Sequence, residues 1–355
     1  MYKFIFIFFC IIGALQVRAQ IRGLVFSDYY SSEDYNAGPQ NWCITQDQRG
    51  IMYFGNSNCI LEYDGVSWQN IYVDNQSNIR SLAVDKQNNI FVGAYNEIGI
   101  LTPDNQGQLH YKSLTHLIDS KYFEFGDVWN TYCIDDDVFF LTEKFIFRFK
   151  NQQIGCWEKS EERFYLSFNV DNRLYINEVG KGLMAFEGNS LKLIKKGEFF
   201  ADKRIHSIIP LGEKLLIGTR AHGLYLYHQN KTKAEIRPIS QISESGKYLN
   251  QYFIENTLYH GIKVNDQLFA LATIKGTVLT VDTSFNVIDI IDKESTGIIS
   301  PIHYLYFDNN QTLWLALDNG INRVDIFSPF RYWTEDLGII GNITDVASLD
   351  EYTYI

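Results

Sequence analysis

Few side chains in this sequence have the types and spacing that catalysis requires. Three consecutive acids, Asp135–Asp137, could bind a metal or exchange protons, but they occupy a position that turns occupy elsewhere in the chain. His222 and His228 are six residues apart, which separates them by about 20 Å along an extended strand, too far to share a metal. No Ser, Cys or Thr has the pattern of an activated nucleophile, and Gly180-Lys181-Gly182 precedes a strand rather than the helix that a phosphate-binding loop needs. The sequence therefore predicts no catalytic residue, no metal site and no cofactor.

A second group of side chains is better suited to binding. Aromatic rings combined with planar hydrogen-bonding side chains fit sugar rings and carboxylates. Residues of this kind precede seven apolar strands: Trp42, Arg80, Trp129, Arg163, His206, His260 and His303. A second polar set follows the next strand of each unit: Asn56, Tyr95, Glu97, Glu143, Glu178, Arg220, His222, Lys275 and Asp318. From both sets we predict a ligand site formed by Trp42, Arg80, Tyr95, Glu97, Trp129, Arg220, His222 and His260, although Trp42 could equally be a core residue.

These positions follow a motif that recurs along nearly the whole chain. It consists of an apolar run, an aspartate with a polar turn, and an aromatic-rich run that closes on a small residue. Clear copies are Ile44–Gly55, Leu82–Gly93 and Leu305–Ala316, and looser ones begin near Tyr132, Phe168, Ile208 and Ile262. Successive copies are 36 to 54 residues apart. A period of about 40 residues with four short strands per unit predicts a β-propeller, in which each unit is one blade.

The first unit shows the expected blade. Its strands would be Cys43–Gln46, Ile51–Gly55, Ile60–Tyr63 and Trp68–Tyr72, joined by turns rich in Asp and Gly. Apolar residues alternate or occur in short bursts without a helical period, which argues against buried helices. Seven units predict an all-β, seven-bladed propeller of four-stranded antiparallel blades, with Phe and Tyr packed between blades and loop insertions in the two longest intervals. Closure into a ring removes exposed sheet edges.

Composition and the N-terminus suggest export. Residues 1–20 resemble a signal peptide, with Lys3, an apolar run at Phe4–Leu15 and a small-residue cleavage pattern at Val17-Arg18-Ala19. The run is shorter than the roughly 20 residues of a membrane-spanning helix, although an uncleaved anchor is the alternative. Cleavage would remove two basic residues and no acid, so the net charge of −11 would become −13. This charge, with no basic patch, argues against nucleic-acid binding.

Four cysteines would remain in the exported chain. A core of this size does not need disulfides, so we expect free, mostly buried thiols. They are Cys43, Cys59, Cys133 and Cys156.

The sequence divides into four parts. They are a signal peptide at 1–20, a leader strand or loop at 21–40, a propeller of about seven repeats at 41–335, and the start of a further repeat or second propeller at 336–355. Gly341–Val346 has the pattern of an eighth unit, and the sequence ends within the second strand of that unit. We therefore expect a longer protein, with a truncated gene product as the alternative.

Several segments resemble the N-terminal sensor propellers of two-component regulators typical of Bacteroidetes. These segments are Gly23–Tyr35, Asn36–Trp42, Gln46–Gly55, Leu61–Trp68, Asn319–Asp325 and Ser328-Pro329-Phe330. The resemblance covers about residues 23–355 and is weak between Asp127 and Asp292. It implies a periplasmic location and further domains: a second propeller, an immunoglobulin-like domain, a membrane helix, and a cytoplasmic kinase or DNA-binding module. It also implies glycan fragments as ligands, with the following domain of the same protein as a partner.

The expected function is therefore ligand sensing without catalysis, in a part of the protein that contacts the membrane only through its downstream domains. Whether it forms a homodimer is left open. One alternative is a propeller polysaccharide lyase or glycosidase, for which His206, His260 and Glu178 would have to converge. The second alternative is a secreted interaction or adhesion module.

Overall fold

The computed structural model describes residues 23–229, 233–296 and 300–333, together with residues 341, 345, 347–349 and 352–354. The signal peptide expected at residues 1–20 lies outside the described residues, as does most of the segment expected to begin a further repeat. In the described residues, seven four-stranded antiparallel sheets follow one another along the chain. The all-β, seven-bladed fold is thus confirmed. No helix in these ranges combines the length and apolarity that a membrane crossing requires.

The first four blades each consist of consecutive strands, numbered from the inner strand outward. Blade 1 contains β2 (Asn41–Gln46), β3 (Met52–Asn56), β4 (Ile60–Tyr63) and β5 (Trp68–Ile71). Blade 2 contains β6 (Ile79–Val84), β7 (Ile90–Ala94), β8 (Glu97–Pro103) and β9 (Leu109–Ser113). Blade 3 contains β10 (Asn130–Ile134), β11 (Asp137–Leu141), β12 (Phe145–Lys150) and β13 (Gln153–Glu158). Blade 4 contains β14 (Arg163–Val170), β15 (Arg173–Val179), β16 (Gly182–Glu187) and β17 (Ser190–Leu193).

The remaining blades include the two helices and the strand that closes the ring. Blade 5 contains β18 (Ile205–Leu211), β19 (Lys214–Thr219), β20 (Leu224–Gln229) and β21 (Ala234–Pro238), followed by α1 (Glu244–Asn256). Blade 6 contains β22 (Leu258–Lys263), β23 (Leu268–Thr273), β24 (Val278–Asp282) and β25 (Val287–Ile291), followed by α2 (Lys293–Thr296). Blade 7 contains β26 (Ile302–Phe307), β27 (Leu313–Leu317), β28 (Ile321–Val324) and, as its outer strand, β1 (Ser27–Tyr30). A separate hairpin pairs β29 (Ala347–Leu349) with β30 (Tyr352–Tyr354).

Strand β1 closes the ring. It comes from the region expected to be a leader, yet it pairs antiparallel with β28, from Ser27 opposite Val324 to Tyr30 opposite Ile321. One blade is therefore built from both ends of the propeller sequence. Inner strands of successive blades contact one another, and β26 contacts β2, so the seven blades form a closed ring.

The core lies between blades rather than along the axis. Each of the seven buried apolar clusters combines residues from two adjacent blades, and one of them joins blade 7 to blade 1. The blade 7–1 cluster is aromatic: Trp314 packs on Phe54 with ring centroids 5.5 Å apart and on Tyr30 at 6.1 Å. The expected packing of aromatic rings between blades is observed, because each blade can bury its faces only against its neighbours.

Two long connections fill gaps between blades. Between blades 2 and 3, residues 114–129 contribute Leu114, Ile118 and Phe125 to the shared core. Between blades 5 and 6, helix α1 contributes Leu249 and Phe253, which are 2% and 0% exposed. The expectation of no buried helix was therefore wrong at α1, which begins at an N-cap where the Ser243 side chain accepts a hydrogen bond from Gly246 N.

The aspartate of the repeat is a turn acceptor, as its position predicted. Asp47 Oδ1 accepts hydrogen bonds from the backbone N–H groups of Arg49 and Ile51 at 2.9 and 3.0 Å. Asp308 in blade 7 accepts from Asn310 N and Thr312 N, at 2.9 and 2.8 Å. Both carboxylates thus satisfy the backbone donors of a tight turn.

The structure also explains why the motif ends on a small residue. A Cβ atom on Gly55 would lie 2.9 Å from the carbonyl oxygen of Ile79 in the next blade. Only a residue without a side chain fits where the second strand of blade 1 approaches the inner strand of blade 2 this closely. The four cysteines of the described region are free, as expected, with Cys43 and Cys59 buried.

Candidate functional site

Irregularities in the inner strands create the candidate site. Six of the seven inner strands carry a β-bulge near their first residue, where one or two residues have no partner on the second strand. A bulge re-aims the side chain that it releases from the ladder. In blade 3, where the strand pairing is regular, Trp129 directly precedes β10. Each blade thereby places one planar side chain at the mouth of the central channel: Trp42, Arg80, Trp129, Tyr165, His206, Tyr259 and His303. We call these seven residues the collar.

One half of the collar is a stack of arginine and tryptophan. The guanidinium carbon of Arg80 lies 4.0 Å from the ring centroid of Trp42 and 4.8 Å from that of Trp129. Arg80 Nε donates to Asp127 Oδ1 at 2.8 Å, and only 12% of the Arg80 side chain is exposed. The cation is therefore held between two aromatic faces and by one carboxylate.

The other half consists of histidines and tyrosines. Tyr165 Oη lies 2.8 Å from His206 Nε2, and His206 Nδ1 lies 2.8 Å from the Tyr259 carbonyl oxygen. Because a carbonyl only accepts, Nδ1 carries the proton, and the Tyr165 hydroxyl donates to Nε2. Burial lowers the pKa of His206 to about 4, which keeps this imidazole neutral.

His303 joins the two halves. Its ring stacks on Trp42 with centroids 4.3 Å apart and meets the ring of Tyr259 at 5.9 Å. His303 Nε2 lies 3.2 Å from Asp318 Oδ1, so this nitrogen donates. Burial lowers the pKa of His303, while the neighbouring Asp318 carboxylate acts in the opposite direction. Contacts thus run without a break from Trp129 through Arg80, Trp42, His303, Tyr259 and His206 to Tyr165.

The cavity at this mouth has a volume of about 230 Å³. Three buried polar atoms of its lining residues have no hydrogen-bond partner within the described part of the chain: Trp42 Nε1, Arg80 Nη1 and His303 Nδ1. A buried polar group without a partner costs about 1–3 kcal/mol, and most such groups in proteins are paired. A ligand or an ordered water bound here would remove that cost.

Five of the eight predicted site residues line this cavity: Trp42, Arg80, Trp129, Arg220 and His260. His260 lies beneath the collar, where its ring meets Tyr304 at 4.3 Å and its Nδ1 accepts from Leu305 N at 3.2 Å. The structure does not bring the other three predicted residues to the cavity. The side chain of Tyr95 is 49% exposed on the rim, and His222 is exposed on its loop.

Glu97 has a structural role within blade 2. Its Oε1 accepts hydrogen bonds from the hydroxyl groups of Tyr111, Ser113 and Thr115, with distances of 2.7 Å from Tyr111 and 2.8 Å from Thr115. Only 8% of the residue is exposed. These hydrogen bonds hold the Glu97 carboxylate against the last strand of its own blade.

Tyr165 and Tyr259 were missed in the sequence, where Arg163 and His260 represented blades 4 and 6. A bulge shifts which residue faces the channel by one or two positions, and a count along the strand does not reveal it. Residue type could have identified both, because each is an aromatic residue within two positions of the residue that we predicted. Arg163 instead pairs with Glu143, with Nη1 and Oε1 3.0 Å apart.

Of the three residues considered for glycan cleavage, His206 and His260 line the cavity but Glu178 does not. Glu178 is 1% exposed, and its Oε1 accepts from Ser160 N at 2.5 Å and Glu161 N at 2.8 Å, away from the cavity lining. Among the described residues, no group of three His, Cys, Asp or Glu side chains could hold a metal ion.

Comparisons with known proteins support the fold. The extracellular domain of the proposed hybrid two-component system BT4673 from B. thetaiotaomicron superposes with a TM-score of 0.63 at 15% identity, over 85% of this chain and 40% of that one. The corresponding domain of BT3049 from the same organism gives 0.62 at 15% identity, over 84% and 42%. Virginiamycin B lyase from Staphylococcus aureus gives 0.59 at 12% identity, over 84% and 98%.

The regulator type that the sequence resembles is therefore represented among the structural neighbours. At these identities the likeness establishes the propeller fold alone. This chain spans only about 40% of the two regulator domains. No protein-family model and no curated protein matches the sequence.

Proposed function

We propose that this propeller is the exported ligand-sensing part of a transmembrane signalling protein and that it binds a small ring-shaped ligand, in the oligosaccharide class, at the collar. The observation that carries the proposal is the collar itself, to which all seven blades contribute one planar side chain. The regulator domains among the structural neighbours are described as extracellular, which agrees with a periplasmic location for this chain.

The chemistry of the collar favours a sugar. Aromatic rings line the cavity, and two atoms that have no partner among the described residues, Trp42 Nε1 and Arg80 Nη1, are hydrogen-bond donors. His303 Nδ1, in the neutral ring, is an acceptor for a hydroxyl group. A sugar ring presents apolar faces and hydroxyl groups that both donate and accept, so it can satisfy all three atoms.

Signalling would follow because one ligand contacts collar residues from several blades at once. A ligand that contacts several collar residues binds best to one arrangement of the ring. It can bias the contact between this propeller and a following domain or a second copy only if its affinity for the two arrangements differs. In this proposal the propeller binds and releases its ligand without changing it chemically.

The test is a panel of oligosaccharides offered to the exported chain, with binding measured by calorimetry and products analysed by chromatography. Binding without turnover that is weakened by Trp42→Ala or Trp129→Ala supports the sensing function. New reducing ends or unsaturated products would contradict it. Binding of a protein partner with no small ligand would instead indicate an adhesion module.

One observation favours an enzyme as the second candidate. The Tyr165 hydroxyl donates to a neutral His206, and such a pair can move a proton at the channel mouth. Structures named streptogramin B lyase and virginiamycin B lyase are among the structural neighbours. If turnover is detected, Tyr165→Phe should abolish it while leaving ligand affinity within a few-fold.

A further inference from the structure

Three charged side chains at the channel mouth follow the second strand of their blades. They lie in equivalent connections: Glu143 in blade 3, Arg220 in blade 5 and Asp318 in blade 7. Glu143 pairs with Arg163, and Asp318 Oδ1 accepts from Gln40 Nε2 at 2.7 Å. The Arg220 guanidinium has no hydrogen bond or ion pair within residues 23–229, 233–296 and 300–333. Of these three charged side chains, Arg220 alone has no side-chain partner among the described residues.

A second arginine lies directly beside Arg220. The backbone N–H of Arg220 donates to the carbonyl oxygen of Arg204 at 2.8 Å, which joins the two chain segments. The Arg204 guanidinium carbon lies 5.4 Å from the ring centroid of Tyr165 in the collar, and Arg204 also has no carboxylate partner in the described residues. Two neighbouring cations repel one another, and an anion bound between them removes that cost.

The Tyr259 hydroxyl and the His206 ring both lie close enough to these arginines to be affected by their charge. The Tyr259 hydroxyl makes no hydrogen bond within the described chain, and Arg220 is close enough to lower the Tyr259 pKa against the larger effect of burial, which raises it. Arg204 and Arg220 both reinforce the effect of burial in lowering the pKa of His206. A protein with a net charge of −11 therefore has a locally cationic corner beside its collar.

We propose that Arg204 and Arg220 form an anion subsite and that the ligand of the collar is an acidic sugar, carrying a carboxylate or a sulfate ester. The ring would lie in the cavity that the collar lines, and the acidic group would accept from the Arg220 guanidinium and the Tyr259 hydroxyl. This inference rests on the proposed function and narrows its ligand class. Both acidic groups are planar or compact oxyanions that a guanidinium binds through two hydrogen bonds.

The test compares D-glucuronate, D-glucose 6-sulfate and neutral D-glucose at constant ionic strength, with inorganic sulfate as a ring-free probe. Trp42 and Trp129 line the cavity, so tryptophan fluorescence reports binding. We expect both acidic sugars to bind at least about tenfold more tightly than glucose, as one charge-assisted hydrogen bond allows. Arg220→Gln should remove this preference, and Arg204→Gln should reduce it. Lys275→Gln, on the same type of loop in blade 6, is the matched control and should leave it unchanged.

The outcomes separate the inference from the proposed function. Equal affinity for glucose and glucuronate, or a preference for the acidic sugar that survives Arg220→Gln, would show that the anion subsite is wrong. The proposed function, sensing of a neutral sugar, would not be affected. If none of the three anionic probes binds in the millimolar range, the subsite is also wrong, and the oligosaccharide panel then decides the sensing function separately. A preference for only one of the two acidic sugars supports the subsite and identifies the acidic group.

Discussion

Arg80 combines structural contacts with a position in the proposed binding site. Its guanidinium lies between two tryptophan faces and is the partner of Asp127, whose side chain is 21% exposed. We expect Arg80→Ala to lower the free energy of unfolding by about 1–3 kcal/mol, because it removes two cation–π contacts and leaves Asp127 unpaired. Urea denaturation followed by circular dichroism measures the change.

Arg220 is the control for Arg80. It lines the same cavity, but its side chain makes no hydrogen bond or ion pair with the described residues, so Arg220→Ala should change the free energy of unfolding by less than about 0.5 kcal/mol. Equal destabilisation by the two substitutions would contradict the distinction between them. Arg80→Lys keeps the charge but loses the flat stacking surface, so it should restore only part of the stability.

Two buried histidines make stability depend on pH. Burial lowers the pKa of His206 to about 4 and that of His260 to about 3, against an ordinary value of 6.5 in the unfolded chain. Above pH 6.5 neither state binds the extra proton, and the stability is fully present. As the pH falls below 6.5, only the unfolded state takes up protons, so each histidine costs about 1.4 kcal/mol per pH unit until its folded pKa is reached.

The measurement is the free energy of unfolding between pH 7.5 and pH 4.5. His206→Asn keeps a donor near the Tyr259 carbonyl oxygen and removes the titrating group, so it should reduce the slope by about 1.4 kcal/mol per pH unit. His110→Gln is the control, because the His110 side chain is 56% exposed. An unchanged slope in His206→Asn would show that His206 is charged in the folded protein.

At the scale of elements, the strands were more predictable than the side chains they carry. All seven residues used as anchors of the repeat, from Ile44 to Leu305, lie on inner strands, because two-residue alternation and turn chemistry are local properties of the sequence. Helix α1 was missed although Leu249, Tyr252 and Phe253 stand at helical spacing, because this short pattern is a single departure from the repeat of strands. Strand β1 was read as part of a leader because its partner β28 is nearly 300 positions away. Long-range pairing leaves no local pattern.

Strand β1 is the element on which ring closure depends. Its Tyr30 contacts Trp314 of blade 7 and Tyr63 of blade 1, and Val25 just before it is 1% exposed. We expect a chain that begins at residue 31 to aggregate or to melt at a much lower temperature, because β28 then becomes an open edge and the blade 7–1 cluster loses apolar contacts.

Adding the missing strand as a separate peptide tests whether β1 itself closes the ring. A synthetic peptide of residues 23–33 should restore the melting temperature of the shortened chain by pairing with β28, as an added strand does at other open sheet edges. A scrambled peptide of the same composition is the control, and a chain that begins at residue 23 should behave as the full chain. If the shortened chain is stable without the peptide, β1 does not close the ring.

At the scale of the whole molecule, the closed ring determines how stability is distributed. An open stack of repeats can lose its terminal units one at a time, because each unit contacts only its neighbours. Here blade 7 packs on blade 1, so no blade is terminal, and loss of any blade removes two interblade clusters. The collar contacts also involve all seven blades, in an open run from Trp129 to Tyr165.

This arrangement predicts that the propeller unfolds as one unit. Ile176 is fully buried between blades 3 and 4, and Ile176→Val should cost about 0.5–1.5 kcal/mol. If unfolding is global, hydrogen exchange at the slowest amides of every blade should accelerate by the same factor, including blades 7 and 1 on the far side of the ring. Faster exchange confined to blades 3 and 4 would mean that blades open separately. In that case a ligand at the collar could order individual blades, and signalling would not require a change in the ring as a whole.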